Sequence, residues 1–152
     1  MSRITDRLAE LGLALPPVVP PVADYVPALR NGSLVWTSGQ LPMVAGSLVA
    51  TGLVGSDVTA EAAKELAQTC ALNALAAVGS VADLDSVVRV VKVVGFVASA
   101  PGFYGQPGVV NGASELLGNV FGDAGKHARS AVGVAALPLN APVELEIVVE
   151  VS

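Results

Sequence analysis

An arginine and a glutamate near the end of the chain are the residues whose types and spacing best suit chemistry. Arg129 stands at the start of one apolar strand and Glu144 near the start of the next, joined by a short loop that contains Pro138, Asn140 and Pro142. A guanidinium can grip a carboxylate through two parallel hydrogen bonds, and a nearby glutamate can position or activate a water. The pair could therefore hold a small carboxylate ligand and a water together.

The last strand has two unequal faces. Apolar residues occupy one face, and glutamates occupy three of the four places on the other: Val143, Leu145, Ile147, Val149 and Val151 against Glu144, Glu146, Val148 and Glu150. Alternation of this kind is typical of a half-buried strand. Three carboxylates so close to a strand that opens with arginine favour a site or an interface on the second face.

The composition favours an oligomer. The chain has 152 residues, the usual size of one domain, of which 53% are hydrophobic and 14% charged. An average soluble protein has about 25% charged residues. So little charge covers a small monomer poorly, and burial of apolar surface against other subunits is the simplest explanation.

Two long uncharged segments raise the possibility of a membrane protein. Asn31–Ser56 and Val93–Ser114 contain no charged residue, and about 20 residues suffice to span a bilayer. Repeated Gly and Pro residues break both segments, so neither can form one uninterrupted helix. The first residues carry Asp6 and lack the apolar run of a secretory signal. We expect a soluble, cytoplasmic protein with no membrane partner.

The single cysteine and the single histidine are weak candidates for catalysis. Cys70 lies in a helical run among alanines, which indicates a buried small hydrophobic residue. His127 follows Lys126 in a turn rich in Gly and Asp, so we expect it to be exposed. One cysteine and one histidine exclude a disulfide within the chain, a multi-cysteine metal site and a His-pair zinc site.

The pattern along the chain predicts an α+β fold. Its elements are a helix over Ile4–Leu15 that ends at a proline run, strands Val26–Arg30 and Leu34–Ser38 around an Asn-Gly turn, a short strand near Leu48–Thr51, a helix from the Thr59 cap to about Val78, a strand Val87–Ala98, a loop Ser99–Gly108, a helix Val109–Phe121, and the closing strand pair. This order indicates a mixed sheet with two helices on one face.

Four segments, in order, resemble the motifs of one family. They are Asp24-Tyr25-Val26-Pro27-Ala28, Thr37-Ser38-Gly39-Gln40-Leu41-Pro42, Val110-Asn111-Gly112, and the run from Ala128-Arg129-Ser130 to Leu137-Pro138 with Val143-Glu144-Leu145-Glu146 after it. The chain is similar in these places to the Rid/YjgF proteins, the reactive-intermediate 2-imino acid deaminases, also known as the endoribonuclease L-PSP family. The likeness covers roughly residues 22–151.

The resemblance implies a fold, an assembly and a reaction. The fold would be the chorismate-mutase-like sandwich, assembled as a homotrimer with sheets inside, helices outside and clefts between subunits. Residues 22–152 would form this domain, and residues 1–21 an N-terminal helix and proline-rich extension packed on it. The reaction would be hydrolysis of small 2-imino or enamine acids to 2-keto acids and ammonia, without metal or cofactor. By this resemblance, the activity would detoxify reactive intermediates.

The resemblance also assigns roles to individual residues. Arg129 would grip the substrate carboxylate, Glu144 would position the attacking water, and Tyr25 would close the pocket with its hydroxyl. Ser38, Gly39, Asn111 and Ala131 would contact the substrate. From the residues alone simpler roles stay open: an interface ion pair for Arg129 and Glu144, a core position for Tyr25, a turn for Ser38 and Gly39, and a helix cap for Asn111.

The chain departs from the family pattern near Arg129. Ala131 stands where the deaminases often have Cys, Gly133 stands where Glu is expected, and the Ser99–Gly108 loop is longer than usual. These changes leave the identity of the substrate open.

Two other functions stay open. A trimer that binds small carboxylates without catalysis would need Arg129 but not Glu144. An RNA-directed activity is disfavoured, since eight Lys and Arg residues against 13 Asp and Glu give a net charge of −5 and no basic stripe for phosphates. We expect no nucleic-acid partner.

Overall fold

The computed structural model describes residues 2–152 and contains a five-stranded mixed sheet with three helices. Ten regular elements follow the chain in this order: α1 Arg3–Glu10, β1 Ala28–Asn31, β2 Leu34–Thr37, β3 Met43–Val44, β4 Ser47–Leu48, α2 Ala60–Gly79, β5 Val87–Ala98, α3 Gln106–Phe121, β6 Ala128–Val134 and β7 Val143–Val151. Short 3-10 turns lie at Leu84–Ser86, Gly122–Gly125 and Pro138–Asn140.

The sheet has the strand order β1-β2-β7-β5-β6. Strands β5 and β6 are parallel, with α3 in the connection between them, and the other three pairs are antiparallel. The last strand, β7, therefore lies in the centre, where both neighbours bond it. Strand β6, which carries Arg129, is an edge strand.

The core lies between one face of the sheet and the helices α2 and α3. The apolar residues of β7 face the helices and are almost fully buried, whereas the glutamates between them are half-buried on the opposite, open face. This alternation confirms the predicted faces of the strand and the two helices on one side of the sheet.

The predicted hairpin between β1 and β2 forms with its turn one residue later than the Asn-Gly pair. Asn31 pairs with Leu34, so Gly32 and Ser33 are the two turn residues. Gly32 has φ +63°, which suits the first central position of a hairpin turn of the II′ type. The strand expected near Leu48–Thr51 is shorter, Ser47–Leu48, and pairs with β3.

The first helix is shorter than the sequence pattern indicated. We expected it to reach Leu15, but it ends at Glu10, because Gly12 adopts φ +74° and turns the chain out of the helix. Leu13 and Leu15 still pack against the core from an extended segment. The helix itself rests on the body of the molecule through buried Ile4 and Leu8.

The two long helices contact each other at a glycine. A Cβ at Gly112 of α3 would collide with the backbone carbonyl of Lys64 on α2, so only glycine permits this close approach. Helix α2 begins after the Thr59 cap, as predicted. Helix α3 begins at Gln106 and not at Val109, since Pro107 suits a first helical turn; the preceding loop is correspondingly shorter.

None of the helices in residues 2–152 combines the length and the apolar character that crossing a bilayer requires.

Candidate functional site

Glu144 lies at the floor of a cleft of about 290 Å³ on the open side of the sheet. The lining is mostly apolar and comes from the proline-rich segment, the Tyr25 loop, the end of β2 and the loop before β7: Val19, Pro20, Pro21, Val22, Tyr25, Pro27, Gly39, Gln40, Leu41, Met43, Pro138, Leu139 and Glu144. The segment that precedes Tyr25 therefore forms one wall of this cleft. Leu139, which also lines the cleft, has φ +58°, a conformation that costs energy for a residue other than glycine.

The Glu144 carboxylate packs directly against Gly39. A Cβ at position 39 would collide with the Glu144 carboxyl group, so the glycine leaves room for this carboxylate. Partial burial raises the pKa of Glu144, and the nearby carboxylate of Glu146 raises it further. A glutamate with this environment accepts a proton more readily than an exposed one.

Tyr25 and Ser38 take part in the same region in different ways. The Tyr25 ring is half-exposed, lines the cleft, and its hydroxyl lies 3.5 Å from the Val22 backbone nitrogen. Ser38 donates its hydroxyl hydrogen to the Val26 carbonyl at 2.6 Å and its N–H to the Pro27 carbonyl at 2.8 Å. Ser38 therefore ties the Tyr25 loop to β2, and both of its donors are already used.

Arg129 is held by helix α3. Its Nη1 donates to Asn111 Oδ1 at 2.8 Å and to Ser114 Oγ at 3.3 Å. Asn111 and Ser114 lie three residues apart and so share one face of the helix. Asn111 does not cap α3, which starts five residues earlier; it orients the arginine instead.

Arg129 and Glu144 lie on opposite faces of the sheet. Arg129 is paired with buried Val93 on the helix side, whereas Glu144 is paired with Phe96, one of the residues of the open side. Two strand spacings across and three residues along separate their backbones by roughly 14 Å. The chain thus places Tyr25, Gly39 and Glu144 together and Arg129 with Asn111 elsewhere. One chain does not bring the two groups to one ligand.

Ala131 and Gly133 follow Arg129 on the helix side of β6. Ala131 packs against the core. The space above Gly133 is taken by Gln106 at the start of α3, whose Nε2 would lie 2.7 Å from a Cβ at that position. Gln106 Nε2 donates to Ser99 Oγ and to the Phe103 carbonyl. The Gln106 amide therefore occupies the space that a side chain at position 133 would take.

Two residues near Arg129 differ from expectation: Ser114 is not among the predicted site residues, and His127 was expected to be exposed. His127 is half-buried and not exposed, because its ring bonds the Gly125 carbonyl at 2.6 Å and Ser114 Oγ at 2.9 Å. Two signals could have found both residues: Ser114 follows Asn111 by about one helical turn, and His127 precedes Arg129 by two positions, immediately before β6.

The remaining titratable candidates offer no second centre. Cys70 is buried, as expected, and burial raises the pKa of its thiol, with Glu144 raising it further. Such a thiol is a poor nucleophile. Within residues 2–152, no three His, Cys, Asp or Glu side chains converge in a way that could hold a metal ion.

The fold and these two groups define a class of α+β protein: a mixed sheet with two long helices on one face, a mostly apolar cleft with one glutamate on the other, and an arginine held at the sheet edge. The family model described as "YjgF/chorismate mutase-like, putative endoribonuclease" matches residues 5–151. The chain belongs to this family, which confirms the resemblance seen in its motifs.

Individual relatives agree with this assignment. Protein TCP17 of Trypanosoma cruzi is 41% identical over 99% of this chain and 96% of its own length. A crystal structure of Atu1372, a protein of unknown function from Agrobacterium tumefaciens, is 48% identical, has a TM-score of 0.92, and matches over 99% of this chain and 93% of that one. A "putative endoribonuclease" from Shewanella oneidensis is 30% identical with a TM-score of 0.93, over 97% of this chain and 99% of that one. The fold is the YjgF chorismate-mutase-like fold.

Proposed function

We propose that this protein hydrolyses small 2-imino or enamine acids to 2-keto acids and ammonia, in clefts shared by the subunits of a homotrimer. The observation that carries the proposal is Glu144: a half-buried carboxylate with a raised pKa, seated on Gly39 at the floor of an open cleft. A carboxylate would repel an anionic ligand in a site that only binds it. The same carboxylate can act as a general base that activates a water.

The chemistry requires few groups. The Glu144 carboxylate accepts a proton from water while the water oxygen bonds to C2 of the imine. That proton then goes to the nitrogen, which gives the tetrahedral adduct with a hydroxyl and an amino group on C2. The hydroxyl proton next moves through the Glu144 carboxylate to the same nitrogen while the C–N bond breaks, so ammonia leaves and the oxygen on C2 becomes the carbonyl of the 2-keto acid. Arg129 holds the substrate carboxylate during these steps. Orientation and preorganised charge supply the acceleration, without a metal or cofactor.

The open face of the sheet supports an assembly. Leu29, Trp36 and Val148 lie side by side across β1, β2 and β7 on this face, and Leu29 and Trp36 are 59% and 49% exposed. Val132, also exposed, lies on the same face of β6 beside Phe96, four register positions along the sheet from Val148. Exposed apolar patches of this kind mark interfaces. In a ring of three subunits the Arg129 edge of one chain would meet the Glu144 cleft of the next.

A coupled assay tests the reaction. An imine-generating enzyme is supplied with its amino acid, and 2-keto acid formation is followed with and without this protein. We expect wild type to accelerate the release. No acceleration would remove the deaminase proposal and leave a non-catalytic protein that binds small carboxylates.

The names of several relatives make RNA the second candidate. Fluorescence anisotropy with a labelled single-stranded RNA at physiological salt decides it. We expect no binding, because the net charge is −5; submicromolar affinity that falls steeply with added salt would reverse this expectation.

A further inference from the structure

The guanidinium of Arg129 is held on one side only. Its Nη1 has two hydrogens, and Asn111 Oδ1 and Ser114 Oγ accept one each, at 2.8 Å and 3.3 Å. The edge formed by Nε and Nη2 makes no hydrogen bond in the part of the chain that the structure describes. A carboxylate binds such an edge through two parallel hydrogen bonds. The ligand-binding edge of Arg129 is therefore Nε–Nη2, and its orientation depends on what holds Nη1.

His127 fixes the orientation of Ser114. The Gly125 carbonyl can only accept, so His127 Nδ1, 2.6 Å away, carries the hydrogen. In the neutral ring Nε2 is then an acceptor, and the Ser114 hydroxyl donates to it at 2.9 Å. This leaves the lone pairs of Ser114 Oγ for Arg129. A chain of four hydrogen bonds thus runs from Gly125 through His127, Ser114 and Arg129 to Asn111.

The elements that carry the chain are fixed against one another. His127 and Arg129 are two residues apart on the helix side of the sheet edge, and Ser114 and Asn111 face them from α3. Gly125, which supplies the last acceptor, contacts the Leu117 carbonyl of α3 so closely that a Cβ there would collide with it. Both ends of the network are therefore anchored to the same helix.

We propose that Ser114 and His127 are positioning residues for Arg129, which present its Nε–Nη2 edge to the substrate carboxylate. This proposal rests on the proposed function, in which Arg129 grips that carboxylate. An arginine without these contacts samples several rotamers and must be ordered when the ligand binds. Loss of these contacts therefore weakens substrate binding, while the chemical step at Glu144 is unaffected.

Two disruptive and two conservative variants test the network. Ser114→Ala and His127→Phe remove it. Ser114→Thr keeps the hydroxyl, and His127→Gln keeps an amide oxygen close to the place of Nε2. We expect the disruptive variants to raise KM about tenfold at unchanged kcat, the effect of losing one hydrogen bond to a charged group. The conservative variants recover most of the loss. Lys126→Ala, beside His127 but paired only with exposed Asp123, is the matched control.

A second measurement does not depend on activity. The Nε–H group of Arg129 gives its own signal in nitrogen-15 NMR spectra, assigned by its absence in Arg129→Lys. We expect Ser114→Ala and His127→Phe to increase the motion of this group, and Ser114→Thr to restore its order. Calorimetry with 2-oxobutanoate as the probe should show the same ranking in Kd.

The outcomes separate the two proposals. An inactive wild type with an ordered Arg129 that loosens in Ser114→Ala overturns the deaminase function and keeps the network. An active wild type in which Ser114→Ala and His127→Phe change neither KM nor Arg129 motion overturns the network. The network is also overturned if Ser114→Ala and His127→Phe lower kcat at constant KM. The same holds if Ser114→Thr and His127→Gln fail to restore substrate binding.

Discussion

Arg129 and Glu144 both stand on strands without an oppositely charged partner, but their surroundings differ. Arg129 is fixed by neutral oxygen acceptors and keeps its charge for a ligand. Glu144 has no ion pair among the described residues and is partly desolvated, which raises its pKa. An uncompensated cation and an uncompensated carboxylate are costly to a fold, and both are features of a functional site.

Arg129→Ala should lower kcat/KM on the order of 100-fold, because a bidentate charged contact is lost. Arg129→Lys should recover little, since lysine is a single point charge without the planar fork. Steady-state kinetics in the coupled assay measure both, and circular dichroism spectra check that the fold is kept. A lysine variant with wild-type kinetics would show that charge alone suffices.

Glu144→Gln should reduce kcat on the order of 100-fold with little change in KM, as expected for loss of a general base. Its effect on stability depends on pH. The folded-state pKa of Glu144 is raised, so its ionisation disfavours the folded state, and this cost is present at neutral pH and disappears as the carboxyl is protonated in acid.

The variant should therefore melt at a higher temperature than wild type near pH 7 and match it below the normal glutamate range. Thermal unfolding at several pH values tests this. An equal difference in melting temperature at every pH would point to packing and not to charge.

At the scale of elements, Gly112 decides how closely α2 and α3 approach. Gly112→Ala should destabilise the fold by about 1–3 kcal/mol, the usual cost of an overpacked contact, because the Lys64 carbonyl must move. Gly118→Ala is the matched control: it lies in the same helix with nothing within 4 Å of an added Cβ. That change should stabilise the helix by about 0.5–1 kcal/mol. Urea unfolding compares the two variants.

The N-terminal helix is attached to the body by Asp85. Its carboxylate accepts the Ser2 hydroxyl at 2.8 Å and the N–H groups of Arg3 and Ile4 at 2.8 and 3.0 Å. These bonds hold the pKa of Asp85 below its ordinary value, the backbone bond from Ile4 most of all. Their contribution to stability is therefore present above the unfolded-state pKa of aspartate and is lost as the pH falls through the lowered folded-state pKa.

Asp85→Ala should release α1, seen as faster hydrogen exchange of amides 4–11 with slow exchange kept in β5 and β7. Acidification of wild type should have the same effect. Asp123→Ala, which removes only an exposed ion pair, should leave hydrogen exchange unchanged both in α1 and in the two strands. Unaltered protection of α1 in Asp85→Ala would show that Ile4 and Leu8 hold the helix without it.

Most elements could be predicted because their signals are local. The Thr59 cap, the alternation of β7 and the β-branched run of β5 each identify an element within a few residues. The end of α1 could not be predicted in this way, because the helical spacing of the leucines continues past Gly12 whereas the backbone leaves the helix there. The partners of Arg129 were only half predictable. Asn111 belongs to a motif, but Ser114 and His127 meet Arg129 only because α3 packs over β6.

At the scale of the whole molecule, the opposite faces of Arg129 and Glu144 give a test of shared clefts. Arg129→Ala and Glu144→Gln each keep on the order of 1% of wild-type activity alone if the proposed reaction holds. Refolded together in equal amounts, they should regain about one quarter of wild-type activity, because that fraction of interfaces in a cyclic trimer pairs an intact arginine with an intact glutamate. Light scattering confirms the assembly. Absence of any recovery in mixed trimers would place both residues' functions within one chain.

If the site is divided between subunits, as proposed, a defect in one chain would also inactivate the sites that it shares with its neighbours. A subunit that has lost both Arg129 and Glu144 spoils the cleft on each of its sides, so one such copy disables about two of the three clefts in a ring. In a cell that makes intact and damaged chains in equal numbers, activity falls to about one quarter and not to one half. Such a variant would then be dominant-negative, because it lowers activity below one half even when the intact chain is also made.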